Sequence, residues 1–224
     1  MAFIEIKNVF KTYAEIAGIS TLALNGVTLN IEKGDFAAIA GPSGSGKTTL
    51  LNIIGALDKP TTGQIYYEGA DITNISINRL ADFRLHQIGF VFQAYNLINV
   101  LTALENVEYI MLLQNRPCEE RTRRATELLA RVGLADFMHR RPSQMSGGQQ
   151  QRVAVARAIA ARPKVVLADE PTANLDSKTA GELLDLMKEL NKEKGVTFLF
   201  STHDKMVMDK ADKIFHVKDG SIIN

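Results

Sequence analysis

Two short segments of this 224-residue chain gather the residue types that phosphate chemistry requires. Gly41-Pro42-Ser43-Gly44-Ser45-Gly46-Lys47-Thr48 satisfies G-x-x-x-x-G-K-[ST], follows the apolar run 35–40, and precedes the apolar helical stretch Thr49-Leu50-Leu51-Asn52-Ile53-Ile54. Glycines are needed because several backbone N–H groups must converge on phosphate oxygens at a helix amino terminus, where the helix dipole also favours negative charge. In such a cradle, running from Gly41 to Thr49, Lys47 would bridge the β- and γ-phosphates. The Thr48 hydroxyl would ligate the Mg²⁺ that accompanies a nucleotide. Val165-Val166-Leu167-Ala168-Asp169-Glu170 is an apolar run ending in two carboxylates, the place where an open α/β sheet presents chemistry to a ligand. Asp169 is expected to hold Mg²⁺, directly or through water, and Glu170 to polarise a water for in-line attack on the γ-phosphate.

Both segments need strands and helices to hold them. Strand-like runs fall at 3–9, 22–31, 35–40, 64–68, 88–92, 165–169, 196–201 and 213–217, alternating with helical patterns at 47–57, 102–114, 119–132, 149–161 and 177–193. In the fourth helix Val153, Ala156, Ile159 and Ala160 share one face. The layout is α/β. No repeat or Gly/Ser linker divides the chain, so 1–224 is expected to be one domain. Residues 1–93 and 162–224 would form its core, and about 94–161 a helical subdomain inserted into it.

Composition limits the partners. Lys and Arg total 26 against 25 Asp and Glu, a formal charge of +1, which is no basis for binding nucleic acid or anionic lipid. Arg79, Arg84, Arg116, Arg121, Arg123 and Arg124 crowd the middle of the chain, but acidic residues interrupt them and a solvated helix face is expected. Cys118 is the single cysteine, so neither an intrachain disulfide nor a Cys-x-x-Cys metal site can form, and a reducing compartment is expected. The first nine residues alternate like a strand and lack the apolar core of a signal peptide. The longest apolar runs are far short of the roughly 20 residues that cross a bilayer. The expected location is the cytoplasm, with any membrane contact made through another chain.

A generic phosphate-binding enzyme does not explain Met145-Ser146-Gly147-Gly148-Gln149-Gln150-Gln151-Arg152, which opens a helix shortly before the Asp169-Glu170 strand. Here the chain resembles the ATP-binding cassette (ABC) ATPases, whose signature is LSGGQ, with Met145 for the leucine, a volume-conserving change. The resemblance runs over essentially the whole chain. It includes Gln93 in Val91-Phe92-Gln93 (similar to the Q-loop), Asn174-Leu175-Asp176 (similar to the D-loop), His203 in Ser201-Thr202-His203-Asp204 (similar to the switch histidine), and Tyr13 in Lys11-Thr12-Tyr13, which matches the aromatic that stacks on adenine.

The resemblance implies a P-loop NTPase core with a mixed, mainly parallel sheet, an antiparallel β subdomain and an inserted α-helical subdomain. It implies ATP and Mg²⁺ as ligands, with His203 contacting the γ-phosphate, Gln93 coupling Mg²⁺ and water to subdomain rotation, and Asp176 at a dimer interface, a role compatible with capping the helix that follows it. A second glycine-bearing helix amino terminus is a second phosphate site, yet one domain has one cradle to serve. A head-to-tail homodimer resolves this, with Ser146, Gly147, Gly148 and Gln149 of one copy completing the site of the other.

The segment 93–107 is unusually apolar for a loop beside a nucleotide site, and both it and 51–63 are similar to the lipoprotein-releasing, macrolide-exporting and cell-division group. This implies an integral membrane permease subunit as partner, with the chain peripheral on the inner face of the membrane, and export or extraction of a lipophilic or peptide-like substrate. Two alternatives stand beside it. One is force transmission through a membrane partner without transport; the other is a soluble ABC ATPase of DNA repair or translation, against which the single cassette and single cysteine argue.

Overall fold

A computed structural model describes residues 2–14 and 20–223. Strands β1 (Ile4–Ala14) and β2 (Ser20–Ile31) precede β3 (Phe36–Ala40), which feeds α1 (Lys47–Ile54). Next come β4 (Thr62–Tyr67), β5 (Ala70–Asp71), α2 (Ile77–Gln87) and β6 (Ile88–Val91). Three helices, α3 (Ala103–Leu113), α4 (Cys118–Arg131) and α5 (Gly147–Ala160), follow with no strand between them. β7 (Val165–Asp169), α6 (Ser177–Lys194), β8 (Thr197–Thr202), α7 (Lys205–Lys210), β9 (Lys213–Lys218) and β10 (Ser221–Ile223) end the described chain.

These strands make two sheets. An antiparallel sheet has the order β2-β1-β4-β5, and a larger one the order β10-β9-β3-β8-β7-β6, parallel except for the β10–β9 pair. The fold is therefore α/β with a mixed, mainly parallel central sheet. All five residues of β3 and all six of β8 are buried, as expected of strands covered on both faces. Their alternation feeds two cores. Ala38, Val166, Ala168, Phe198 and Phe200 join a cluster with residues of α3, α4, α5 and α6. Ala37, Ile39, Val165, Leu167 and Leu199 face Leu50, Ile53 and Ile54 of α1 and the inner residues Ile4, Ile6 and Ile31 of the antiparallel sheet. Register then fixes the site: Ala40 lies opposite Thr202 and Asp169 opposite Ser201, so Gly41, Glu170 and His203 leave the sheet side by side at its carboxyl edge.

Several boundaries depart from the sequence reading for local reasons. α1 stops at Ile54, short of the expected 57, because the backbone turns left-handed at Ala56, φ 54, directly after the C-cap Gly55. α2 has no counterpart in the reading; of its eleven residues only Leu80 is buried, so its apolar periodicity is faint. β5 and β10 were also unforeseen. Both close two-residue hairpins in which each central residue has positive φ: Glu68 (48) and Gly69 (80), then Asp219 (49) and Gly220 (76).

Candidate functional site

The loop between β3 and α1 is shaped by two close approaches. At Gly41 a Cβ would sit 2.2 Å from the Val217 carbonyl oxygen, and at Gly46, φ 102, it would sit 2.5 Å from that of Ala23. No other residue fits either place. Gly46 is the N-cap of α1, so the first N–H groups of that helix face the loop. Lys47 is buried, and its ammonium donates to the carbonyl oxygens of Gly41 at 2.8 Å and Pro42 at 2.9 Å. The hollow beside the loop measures about 200 Å³ and is walled by Thr21, Leu22 and Ala23 of β2 and by Gly44, Gly46, Lys47, Thr48 and Thr49. Pro42 and Ser43 are exposed on the loop's outer side, whereas Ser45 is buried with no side-chain partner for its hydroxyl among the described residues.

Tyr13 stands on β1 opposite Thr21, a residue of the hollow's wall. Its hydroxyl donates to Asp58 Oδ2 at 2.7 Å, and the Lys11 ammonium lies 4.7 Å from its ring centroid. Partial burial, then the bond to Asp58, holds the phenol above its ordinary range. Burial alone would push Asp58 up as well, but bonds from Lys11, Tyr13 and the Lys59 amide outweigh it and leave that carboxyl below its ordinary range. Tyr13 is 39% exposed, which leaves it accessible to a flat ligand. Asp58, which orients it, was missed by the sequence reading; nothing in Leu57-Asp58-Lys59-Pro60 distinguishes it from a turn residue.

At the carboxyl ends of β7 and β8 the acidic and basic groups meet. Thr48 Oγ1 donates to Asp169 Oδ1 at 3.1 Å, so the hydroxyl and carboxylate assigned to one cation are neighbours. Both are hard oxygen ligands of the kind Mg²⁺ takes alongside phosphate and water. Among the described residues no cluster of three or more His, Cys, Asp or Glu could hold a metal by itself, so a cation here would draw its remaining ligands from nucleotide and solvent. Glu170 has φ 44, and its carboxylate accepts from Thr202 Oγ1 at 3.4 Å and lies 2.7 Å from His203 Nδ1. Gln93 is exposed just beyond β6, whose Val91 pairs with Ala168, so it borders the same edge. Its carbonyl accepts from Asn174 Nδ2 at 2.9 Å.

The glycine-rich turn before α5 lies elsewhere. Ser146 is the N-cap: its hydroxyl accepts from the Gln149 N–H at 3.3 Å, while Gln149 Oε1 accepts from the Ser146 N–H at 2.9 Å. A Cβ on Gly147 would lie 2.7 Å from the Tyr95 hydroxyl, and one on Gly148 2.5 Å from Thr179 Cγ2 of α6. Asp176 caps α6 by accepting from Lys178 and Thr179 N–H, and also accepts from Thr179 Oγ1. The Thr179 hydroxyl and then its amide hold this carboxyl below its ordinary range. The turn and Asp176 therefore form one surface, and none of residues 146–149 walls the hollow beside Lys47. Arg157, also missed by the sequence reading, braces the loop after Gln93 by donating to the carbonyls of Tyr95 and Asn96, which are left-handed at φ 60 and 48.

One chain thus carries a glycine-rich loop with a buried lysine beside an acid–imidazole pair, and a capped, glycine-started helix whose first residues do not wall the hollow at that loop. A family model described as ABC transporter matches residues 24–173. The lipoprotein-releasing system ATP-binding protein LolD 1 of Rhodopseudomonas palustris is 48% identical over 220 residues, 98% of this chain and 97% of that one. The macrolide export ATP-binding/permease protein MacB of Vibrio parahaemolyticus is 47% identical over 204 residues, which are 91% of this chain and 31% of that longer protein. Among solved structures, the dimeric ATP-binding cassette MJ0796 in a post-hydrolysis state with ADP and Pi has a TM-score of 0.92 at 47% identity, covering 99% of this chain and 97% of that one.

Proposed function

The chain belongs to the ABC transporter family, as one of its ATP-binding cassettes with ATPase activity, and from that premise we propose that two copies close head to tail around two ATP molecules to drive a membrane-embedded permease. The observation that carries the proposal is the separation within one chain of the Lys47 cradle from the Ser146–Gly148 helix start. Each copy then supplies the helix amino terminus that the other copy's γ-phosphate lacks. A clamp made through that phosphate exists only while it is attached, so hydrolysis reopens the dimer.

In this reading Glu170 accepts a proton from the attacking water, His203 orients that water against the γ-phosphate, and Lys47 neutralises charge on the phosphate oxygens. Tyr13 stacks on the base. Thr48, Asp169 and Gln93 would hold Mg²⁺, which would supply charge neutralisation at the β- and γ-phosphates. Asp176 meets the partner copy. Residues 94–161 act as a helical subdomain that moves against the core formed by 1–93 and 162–224.

The permease contact is assigned to an apolar groove of about 290 Å³ next to the Gln93 loop, whose walls include Phe90, Phe92, Ile98, Tyr109 and Leu113. Tyr109 and Leu113 are 39% and 48% exposed, and Val100 nearby is 73% exposed. Such a surface is more apolar than a free rim requires and suits a short helix of another chain. No helix among the described residues is long and apolar enough to cross a membrane. In this reading the pathway belongs to the permease partner, and this chain lies against the cytoplasmic face of the membrane. The relatives named for lipoprotein release and macrolide export support a lipophilic or peptide-like substrate. The test is affinity purification of the Glu170→Gln chain from detergent-solubilised membranes in ATP, with mass spectrometry of what accompanies it. An integral membrane protein is the expected companion; recovery of soluble partners, nucleic acid or ribosomes alone would overturn the transport assignment.

A further inference from the structure

Gln151, one turn into α5, is fully buried, and its Nε2 donates to the carbonyl oxygen of Pro171 at 2.8 Å. Pro171 follows Glu170 directly. The turn they form is under constraint, because a glutamate at φ 44 occupies a region where non-glycine residues persist only if their surroundings over-determine them. Those surroundings are specific. The Glu170 N–H donates to the Ser201 carbonyl at 2.9 Å, the Ala173 N–H to the Glu170 carbonyl at 3.2 Å, and Thr172 Oγ1 to Asp204 Oδ2 at 3.0 Å. Pro171 has no N–H, so its carbonyl is its one backbone polar group, and Gln151 is its partner.

The glutamine gains nothing else. Its Oε1 is buried with no partner among the described residues, a state that carries a desolvation penalty. Reversing the amide would set two acceptors against each other, so the orientation is fixed by Pro171. An apolar side chain of equal size would avoid burying Oε1. What distinguishes glutamine is its donor, spent on the residue that follows the general base.

We propose that Gln151 is a positioning residue for Glu170: through the Pro171 carbonyl it fixes the turn from which the carboxylate projects, and ties that turn to the helix whose amino terminus serves the partner copy. The proposal rests on the reading of Glu170 as base. It gives α5 two ends of one lever. Ser146 and Gly148 meet the other copy's nucleotide, and Gln151, one turn on, holds this copy's base, so each site's base is aligned by the helix that closes the opposite site.

The test is steady-state ATPase kinetics of Gln151→Met, which removes the donor at nearly constant volume. The expected result is kcat lower by about 10- to 100-fold, as for a base misplaced by a fraction of an ångström to an ångström, with KM for ATP unchanged within about threefold. The same change in the Glu170→Gln background should leave the Mg²⁺-ATP dimer intact on size exclusion. Gln151→Glu supplies a second readout. Its buried carboxyl, raised several units by desolvation, donates to Pro171 when protonated and opposes it when ionised. The ratio of its kcat to wild type should therefore climb as pH falls from about 9 to about 6, with circular dichroism constant.

A kcat within twofold of wild type for Gln151→Met overturns the proposal, as does a loss of turnover matched by loss of the dimer. Failure of both variants to fold also overturns it, since Gln151 would then serve stability alone. A Glu170→Gln chain that turns over at the wild-type rate strikes the underlying assignment of the base instead, so the two failures are told apart.

Discussion

Glu170 Oε1 lies 2.7 Å from His203 Nδ1 at the ends of adjacent strands, with the glutamate side chain 14% exposed and the imidazole 61% exposed. A nucleotide entering from solvent meets the histidine first and the sheltered carboxylate behind it. Replacing Glu170 by glutamine keeps the shape but exchanges one accepting oxygen for an NH2 donor and removes the proton acceptor of the proposed mechanism. Turnover should fall by about 10²- to 10⁴-fold while ATP binding persists. Size exclusion with Mg²⁺-ATP should show a trapped dimer, and a wild-type rate would sink the assignment.

Ser146→Ala separates capping from catalysis. Loss of the N-cap should cost about 1 kcal/mol, lowering Tm by about 2–4 °C in a chain of this length. ATP binding to the monomer, read by fluorescent-nucleotide titration, should be unchanged, and hydrolysis should stop. Equal loss of binding and hydrolysis would argue against a site completed in trans.

At Gly46 an added Cβ meets the Ala23 carbonyl at 2.5 Å in a left-handed backbone. Gly46→Ala should destabilise the chain by about 1–3 kcal/mol in urea melts and lose nucleotide binding outright. Unaltered binding would mean that the loop takes another path around phosphate.

Asp176→Asn keeps an equally good N-cap through one oxygen, removes the charge, and reverses the bond with the Thr179 hydroxyl, which then accepts from the amide NH2. Tm near neutral pH should therefore stay within about 1 °C, while ATPase cooperativity between the two sites changes, measured as the Hill coefficient against ATP. The acid side has a definite sign. The Asp176 carboxyl titrates lower folded than unfolded, so its contribution to stability is complete above the unfolded value and disappears as pH falls through the folded one. Wild type should lose that increment on acidification and Asp176→Asn should not.

Tyr13→Phe keeps the ring and removes the bond to Asp58, and Tyr13→Ala removes both. ATP affinity by calorimetry should stay within about threefold for the first and fall by roughly 2- to 12-fold for the second, the range of an aromatic stack. Identical affinities for the two variants would place the base elsewhere.

Chemistry-bearing loops were legible in the sequence because they use residue types at fixed spacing: Gly41 to Thr48, Asp169-Glu170 and Ser146 to Gln149 all lie where a strand end or helix start was expected. The α/β layering was legible too, since β3, β7 and β8 are short apolar runs between helical patterns. What escaped was held by contacts distant in sequence. Asp58 lies 45 residues from the Tyr13 it orients, Arg157 lies 62 from the Tyr95 carbonyl it braces, and Gln151 lies 20 from the Pro171 carbonyl. Each of those residues also has an ordinary local reading as turn, surface or helix filler. The α2 helix escaped for the opposite reason, since it buries too little to leave a periodic pattern.

Two helices here begin with the same reciprocal box, and they spend their hydroxyl protons differently. Thr102, capping α3, accepts from the Glu105 N–H and gives its own proton to Glu105 Oε2 at 2.9 Å. Ser146 has a neutral glutamine in the matching place, so its oxygen lends a lone pair to the helix and no acceptor among the described residues takes its proton. The hydroxyl therefore faces two directions at once. Holding its own helix draws on one side of the oxygen, and in the proposed dimer reaching the partner's nucleotide would draw on the other, each polarising the O–H in the sense that strengthens its counterpart. A glutamate at 149 would claim that proton and, in the proposed dimer, set a negative charge beside the partner's phosphate; glutamine keeps the helix start intact and leaves the O–H to donate, so in that dimer the surface could engage and release an anion through many cycles without fraying.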